Sequence, residues 1–195
     1  MTADRLSNDK AALRSRLLAE RRALAAAERS AAAEALAGHA AALVPPGGTV
    51  AAYVSVGAEP GTRPLLGALA ARGVRVLLPV LLPDNDLDWA RYEGDDRLSP
   101  AARGLLEPTG PRLGPDAVLT ADVVLLPGLA VDLRGVRLGR GGGSYDRVLA
   151  RLARGGARPL LATLLYPHEL GGTVPAEPHD LPVDAAVTPE GVTRF

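Results

Sequence analysis

Cysteine is absent from all 195 residues, which excludes disulfides, thiolate metal sites and a cysteine nucleophile. Aromatic residues are scarce, with one Phe, one Trp and four Tyr. The core must therefore be packed from aliphatic side chains, and few rings remain to stack nucleic-acid bases. Neither sign of charge dominates, because 22 basic residues balance 22 acidic ones. The total gives no support for electrostatic capture of nucleic acid or of an anionic membrane. No apolar run approaches the roughly 20 residues that span a bilayer, and the polar start MTADRLSNDK lacks the apolar stretch of a signal peptide. The expectation is a cytoplasmic, monomeric protein with neither a membrane nor a nucleic-acid partner.

Lysine is nearly missing as well. Lys10 stands alone against 21 arginines in a chain rich in Ala, Arg, Gly and Pro. That composition suggests a coding bias that turns interchangeable lysines into arginines. The two side chains differ in shape, hydration and donor geometry, so Lys10 is a candidate for a position where arginine does not serve; chance is the alternative. The three histidines, His39, His168 and His179, lack zinc-ligand spacing.

What is present is ordinary for a folded protein: 47% apolar and 23% charged residues, in a length suited to one domain with a substantial core. Ser7 or Asn8 reads as the cap of a helix from about Asp9 to Leu24, with Leu13, Leu17, Leu18 and Leu24 at near-helical spacing. An alanine-rich second helix runs to about Val44, where Pro45-Pro46-Gly47-Gly48 ends it. Strands and helices then alternate. Buried strands are predicted at Thr49–Ser55, Val74–Val80, Ala121–Leu126, Arg158–Leu165 and Val183–Thr188, and an exposed one at Asp86–Tyr92. Helices are predicted at Thr62–Arg72, capped by Thr62 with Pro64 in its first turn, and at Tyr145–Arg154. Leu98–Gly114 reads as loop. The fold class is α/β: a single-domain mixed, mostly parallel sheet with helices on both faces, preceded by an N-terminal helical pair.

The strongest local signal is RLGRGGGSYD, Arg137 to Asp146, directly before a helix. Gly139, Gly141, Gly142 and Gly143 let backbone N–H groups approach an anion, and the helix N-terminus adds unpaired donors. Arg137 and Arg140 could clamp phosphate oxygens, and Asp146 could hold a bridging cation. The P-loop pattern is excluded because no lysine is near. The dinucleotide fingerprint fails because Ser144 takes the third glycine position and no strand with an acid follows. A flexible glycine hinge is the plainer alternative. Lys10 and Arg14, four apart, share a helix face that could meet a triphosphate or simply face solvent. Glu59 follows the first strand, at the end where α/β ligands bind, and could equally be a surface glutamate. Near the C-terminus, His179 and Asp180 could do acid–base work or form a rigid turn, and Asp184 could be a second metal carboxylate.

Taken together, these features resemble the 5-formyltetrahydrofolate cyclo-ligase family, also called 5,10-methenyltetrahydrofolate synthetases. The resemblance runs nearly end to end: K-x-x-x-R in the first helix, the loop with Glu59, Gly104–Pro108 (GLLEP), P-G-L-A-V-D with RLGRGGGSYD, and H-D-L-P-V-D. It implies conversion of 5-formyltetrahydrofolate to 5,10-methenyltetrahydrofolate with ATP and Mg²⁺. It also implies that ATP phosphorylates the formyl oxygen, nitrogen 10 attacks, and phosphate leaves as the ring closes. By the resemblance, Lys10, Arg14, Arg137, Gly139, Arg140, Gly141, Gly142, Gly143, Ser144 and Tyr145 contact ATP. Glu59, Arg140 and Gly141–Ser144 meet the folate, Arg140 and Tyr145 act in catalysis, and Asp146 with Asp184 holds the metal. Ser144 stands where the family often has an aromatic residue, and Tyr166-Pro167-His168 takes no assigned role. A sugar-phosphate isomerase or CoA-transferase would use the same anion loop without ATP. A non-catalytic folate or nucleotide binder would keep the loop without turnover, and paired metal carboxylates argue against that.

Overall fold

The computed structural model describes residues 3–177 and 181–195. Two helices open the chain, α1 (Ala3–Ala23) and α2 (Ala26–Ala41). The first begins earlier than the Ser7 or Asn8 cap expected from sequence. Ala25 enters the second in an extended conformation, and its N–H donates to Glu28 Oε2 at 2.7 Å. That contact satisfies one of the donors a helix start leaves open.

The remainder alternates as expected, around β1 (Thr49–Ala51), α3 (Arg63–Ala71), β2 (Arg75–Leu81) and β3 (Leu87–Arg91). A small hairpin follows, β4 (Leu98–Pro100) with β5 (Leu106–Pro108), in the segment read as loop. Next come β6 (Val123–Pro127), a second hairpin of β7 (Ala130–Val131) and β8 (Arg137–Leu138), and α4 (Ser144–Arg154). The chain ends with β9 (Leu160–Leu164), β10 (Ala185–Thr188) and β11 (Gly191–Arg194). Seven strands form the main sheet in the order β11-β10-β9-β6-β1-β2-β3. Neighbours from β10 to β2 run parallel, and the two edge pairs, β10–β11 and β2–β3, are antiparallel.

Strand alternation sorts the core into two layers, because successive side chains leave opposite faces of a sheet. Val50, Val76, Leu78, Val123, Leu125, Ala162, Leu164, Ala185 and Val187 face α2 and α3, where Leu36, Leu65, Leu66 and Leu69 are fully buried. Ala51, Leu77, Val124, Leu126 and Ala186 face α4, which contributes Val148, Leu149 and Leu152. Each such leucine contributes about 1.5–3 kcal/mol by leaving water. Helices thus cover both faces, as the alternation of elements predicts.

Two local expectations are corrected. Asp86–Tyr92 is not an exposed strand: Trp89 and Ala90 have no accessible surface, because this edge strand is covered by α4 and by the 3-10 turn Pro115–Thr120. Thr62 does not cap α3 with its side chain. Its backbone is already helical (φ −106°, ψ −12°), and its hydroxyl instead accepts the Ser55 N–H at 2.9 Å. Among the described residues no helix is long and apolar enough to cross a membrane.

Candidate active site

The sheet order places the site. From β1 the next strand, β2, lies on one side and β6 on the other, so the loops leaving β1 and β6 diverge and open a crevice at their carboxyl ends. A cavity of about 290 Å³ occupies that crevice. Tyr53 and Val54 after β1, Pro79 and Leu81 of β2, and Pro127 and Gly128 at the end of β6 form its floor. Leu105, Leu106 and Glu107 of the β4–β5 hairpin form one wall, and Gly139–Asp146 forms another. The hairpin is fastened to the sheet where Glu107 Oε1 accepts the Leu81 N–H at 2.9 Å.

The glycine-rich loop owes its shape to backbone geometry that only glycine adopts freely. Gly141 (φ +89°) and Gly143 (φ +77°) are left-handed, and Gly143 caps α4 without any side-chain hydrogen bond. The first amides of α4 are therefore left to a ligand or to solvent, at the positive end of the helix. Gly139 matters for a different reason: a Cβ there would sit 2.8 Å from Arg137 Nη1. Arg137 is 7% exposed along its side chain and spans the loop, donating to the Pro127 carbonyl at 2.8 Å and to Asp146 Oδ1 at 3.2 Å. The hairpin that delivers it is closed by Asp132, whose Oδ1 accepts the N–H groups of Arg134 (2.9 Å) and Val136 (3.0 Å).

Helix α1 lies against this loop. Its Leu17 is buried with Leu129, Ala130, Leu138 and Val174, which packs the helix on the β7–β8 hairpin. One turn apart on α1, Arg14 Nε donates to the Gly139 carbonyl at 2.9 Å, and Lys10 Nζ bonds Glu177 Oε2 at 2.8 Å. Of the basic pair read from the sequence, Arg14 thus meets the loop, whereas Lys10 meets Glu177 in the segment that precedes the C-terminal strands, and neither lines the cavity. Across the cavity, Glu59 is 10% exposed along its side chain. Its Oε2 accepts the Val56 N–H at 2.8 Å, and its Oε1 lies 3.2 Å from Arg140 Nε. Burial first, and then the Glu59 charge, push the Tyr145 and Tyr53 hydroxyls above the usual phenol range. Both stay protonated at neutral pH and can donate hydrogen bonds.

Behind the cavity lies a group of residues that the sequence did not single out. Arg21 and Glu169 are 1% and 0% exposed along their side chains and form a two-point pair, Nε to Oε1 at 2.6 Å and Nη2 to Oε2 at 2.9 Å. Arg21 Nη2 also donates to the Gly128 carbonyl at 2.6 Å, and Glu169 Oε2 accepts the Tyr166 N–H at 2.9 Å. The Tyr166 ring lies 5.8 Å from the guanidinium, and its hydroxyl reaches the carbonyls of Ala58 and Glu59 at 3.4 Å. One buried ion pair therefore links α1, the floor at Gly128 and the Glu59 loop. A buried arginine is legible in sequence only through a helix face that is otherwise apolar, and Arg21 shares its stretch with Arg16 and Arg22.

One sequence pairing fails. Asp184 does not join Asp146. It sits at the amino end of β9 and β10, where its Oδ2 accepts the Leu161 N–H at 2.8 Å. Asp146 is at the carboxyl end of the same sheet, linked through Arg137 to the Pro127 carbonyl that ends β6. The cause is topological: Asp184 precedes a parallel strand, whereas ligand-facing residues follow one. Among the described residues no cluster of three or more metal-ligating side chains occurs. His179 and Asp180 lie outside the described residues.

A family model described as the 5-formyltetrahydrofolate cyclo-ligase family matches residues 6–189. The chain belongs to that family. It is 43% identical over 186 residues to the 5-formyltetrahydrofolate cyclo-ligase of Mycolicibacterium smegmatis, covering 93% of this chain and 94% of the relative. Identity to the Escherichia coli K12 cyclo-ligase is 35% over 154 residues, with 75% of this chain and 81% of the relative covered. The NMR structure of Aquifex aeolicus 5,10-methenyltetrahydrofolate synthetase superposes with a TM-score of 0.79 at 30% identity, covering 95% of this chain and 92% of that one. The fold is also that of the Mycoplasma pneumoniae 5,10-methenyltetrahydrofolate synthetase, at a TM-score of 0.72, 23% identity, and coverage of 93% and 99%. In cyclo-ligase terms, the motif that carries the sequence resemblance and the cavity wall are one and the same segment.

Proposed function

We propose that this chain cyclises 5-formyltetrahydrofolate to 5,10-methenyltetrahydrofolate at the expense of ATP. The observation that carries the reading is a single cavity with two kinds of wall. Open helix amides and glycine backbone line one side, suited to phosphate oxygens. Tyr53, Leu81, Leu87, Leu105 and Leu106 line the other, suited to a flat ring system, with Glu59 among them. Family membership supplies the reaction in which a nucleotide and a folate must meet.

The oxygen of an N-formyl group is a poor leaving group, and transfer of the terminal phosphoryl group of ATP onto it, with release of ADP, makes it a good one. Charge then spreads over the phosphoryl oxygens, so the protein's task is positioning and cationic stabilisation rather than nucleophilic attack. Lys10, Arg14 and the amides of Gly139–Tyr145 hold the triphosphate. Arg137 stiffens the loop through Pro127 and Asp146. Arg140 stands between the phosphate side and Glu59, where it stabilises the transferring group while Glu59 accepts hydrogen bonds from the pterin. The protonated Tyr145 hydroxyl donates to an oxygen near the reacting centre.

The donor set fits Mg²⁺. That ion is commonly held by one or two carboxylates together with substrate phosphates, and Asp146, 74% exposed along its side chain, is a carboxylate on the phosphate side. Bound there, the ion would neutralise phosphate charge. Protein, 5-formyltetrahydrofolate, ATP and Mg²⁺ mixed together should give the near-ultraviolet absorbance of the methenyl product. No rise, or a rise independent of ATP, refutes the proposal.

A further inference from the structure

Three arginines line the cavity, and they are not equivalent. Arg137 is committed to Asp146 and the Pro127 carbonyl, and Arg140 faces Glu59. Arg103 has no carboxylate within salt-bridge distance among the described residues. Its Nη2 donates instead to the side-chain oxygen of Asn85, a neutral acceptor, at 2.9 Å. Its charge is held in place but not neutralised.

The backbone at this contact is unusual on both sides. Arg103 (φ +61°) and Asn85 (φ +65°) are the two non-glycine left-handed residues among those described, and they come from different loops joined by this hydrogen bond. Asparagine tolerates the left-handed region, but arginine adopts it only against steric resistance from its Cβ. The next residue, Gly104 (φ +73°), shows what the turn would accept without resistance. An arginine is nonetheless kept at the tip of the hairpin whose Leu105, Leu106 and Glu107 line the cavity. Arg103 is exposed while Leu105 and Leu106 are half-buried, so the cation sits at the rim of an apolar wall.

We propose that Arg103 is a carboxylate subsite that binds the glutamyl tail of the folate. The proposal rests on the cyclo-ligase reading of the cavity. A folate seated with its rings on the apolar wall carries a glutamate whose carboxylates extend toward solvent. A guanidinium fork with one edge fixed by Asn85 keeps further N–H donors for such a group, and a carboxylate matches that fork in plane and charge. The committed arginines serve the interior; Arg103 sets tail specificity at the mouth.

The test compares 5-formyltetrahydrofolate with a tail-less counterpart that carries no carboxylate, the primary amide of 5-formyltetrahydropteroate, at saturating ATP. The wild type should show a KM about five-fold lower for the glutamate-bearing substrate, the scale of an exposed ion pair. Arg103→Met should raise that KM about five-fold and leave kcat, the ATP KM and the tail-less KM unchanged. Arg103→Lys should recover part of the loss. Arg103→Gly should show the same KM loss with a higher unfolding midpoint, which separates the charge from the backbone. Equal shifts for both substrates, a rise confined to the ATP KM, or no shift at all would overturn the proposal. No turnover of either substrate by the wild type would overturn the cyclo-ligase reading, and this inference with it.

Discussion

The Arg21–Glu169 pair offers the sharpest test of how the site is held together. Both side chains are essentially inaccessible, so removing either leaves the other as a buried, uncompensated charge. Such a loss costs about 3–5 kcal/mol. For a chain of this size each kcal/mol shifts the unfolding midpoint by about 2–4 °C, so Glu169→Gln or Arg21→Met should lower it by about 6 to 20 °C. The double variant carries neither stranded charge, and its Gln retains an oxygen for the Tyr166 N–H. It should therefore be no less stable than the worse single variant, giving a coupling of about 3 kcal/mol in a double-mutant cycle. Thermal or urea unfolding of the four proteins measures this directly. Additive losses would show that the pair is not coupled and that the two contacts merely coexist. A second readout separates stability from function. Arg21 also holds the Gly128 carbonyl, next to the Pro127 carbonyl that holds Arg137, so surviving Arg21→Met protein at low temperature should show an impaired ATP KM as well.

Three further outcomes follow from named contacts. Gly139→Ala should lower the unfolding midpoint only slightly, because its φ is not left-handed and the cost is confined to the Arg137 hydrogen bonds that the new Cβ disturbs. It should nevertheless lower kcat/KM by about 10- to 100-fold by displacing Arg137; steady-state kinetics beside a melting curve checks the split. Lys10→Arg should raise the ATP KM about ten-fold, roughly 1.4 kcal/mol, because Lys10 is 12% exposed along its side chain and bonded to Glu177 in a space a fork does not share. Unchanged ATP kinetics would make the lone lysine a matter of chance. Asp86 is held below the usual carboxylate range first by the Arg151 hydrogen bonds, against burial, and then by the Leu87 N–H. A depressed folded pKa gives stability that is complete above the unfolded value, about 3.9, and is lost as pH falls through the folded one. Arg151→Met should therefore be less stable at pH 7 yet lose less between pH 5 and pH 2. An acid limb as steep as that of the wild type would refute this.

The fold was legible where burial dictates pattern. Val74–Val80 and Ala121–Leu126 read as strands because parallel strands covered on both faces are continuous apolar runs, and both lie within a residue or two of β2 and β6. The edge strand at Leu87–Arg91 was legible as a strand but not as buried, since its alternating acids look like a solvent face. In fact Asp86 and Asp88 accept N–H groups of their own chain neighbours, Leu87 and Trp89. The hairpin wall at Leu98–Pro108 was illegible. Its strands are three residues long, and its turn uses a left-handed arginine that no turn preference foresees.

The site divides in the same way, and the reason is physical. Residues that shape a backbone, such as the left-handed Gly141 and Gly143, leave their mark in local sequence because other residue types adopt that conformation only against strain. Residues that act across the fold do not. Glu59 and Arg140 are 81 positions apart, and whether they meet depends on the order of β1 and β6 in the sheet, which no spacing encodes. Asp184 shows the same point from the other side. Its sequence neighbourhood, acids just ahead of a strand, invites a metal role, yet preceding a parallel strand puts it at the end of the sheet opposite the cavity. Strand polarity thus decides which carboxylates reach the cavity, and of the two acids that the sequence offers for a metal it brings only Asp146, on the first turn of the helix after the glycine loop, to the cavity wall.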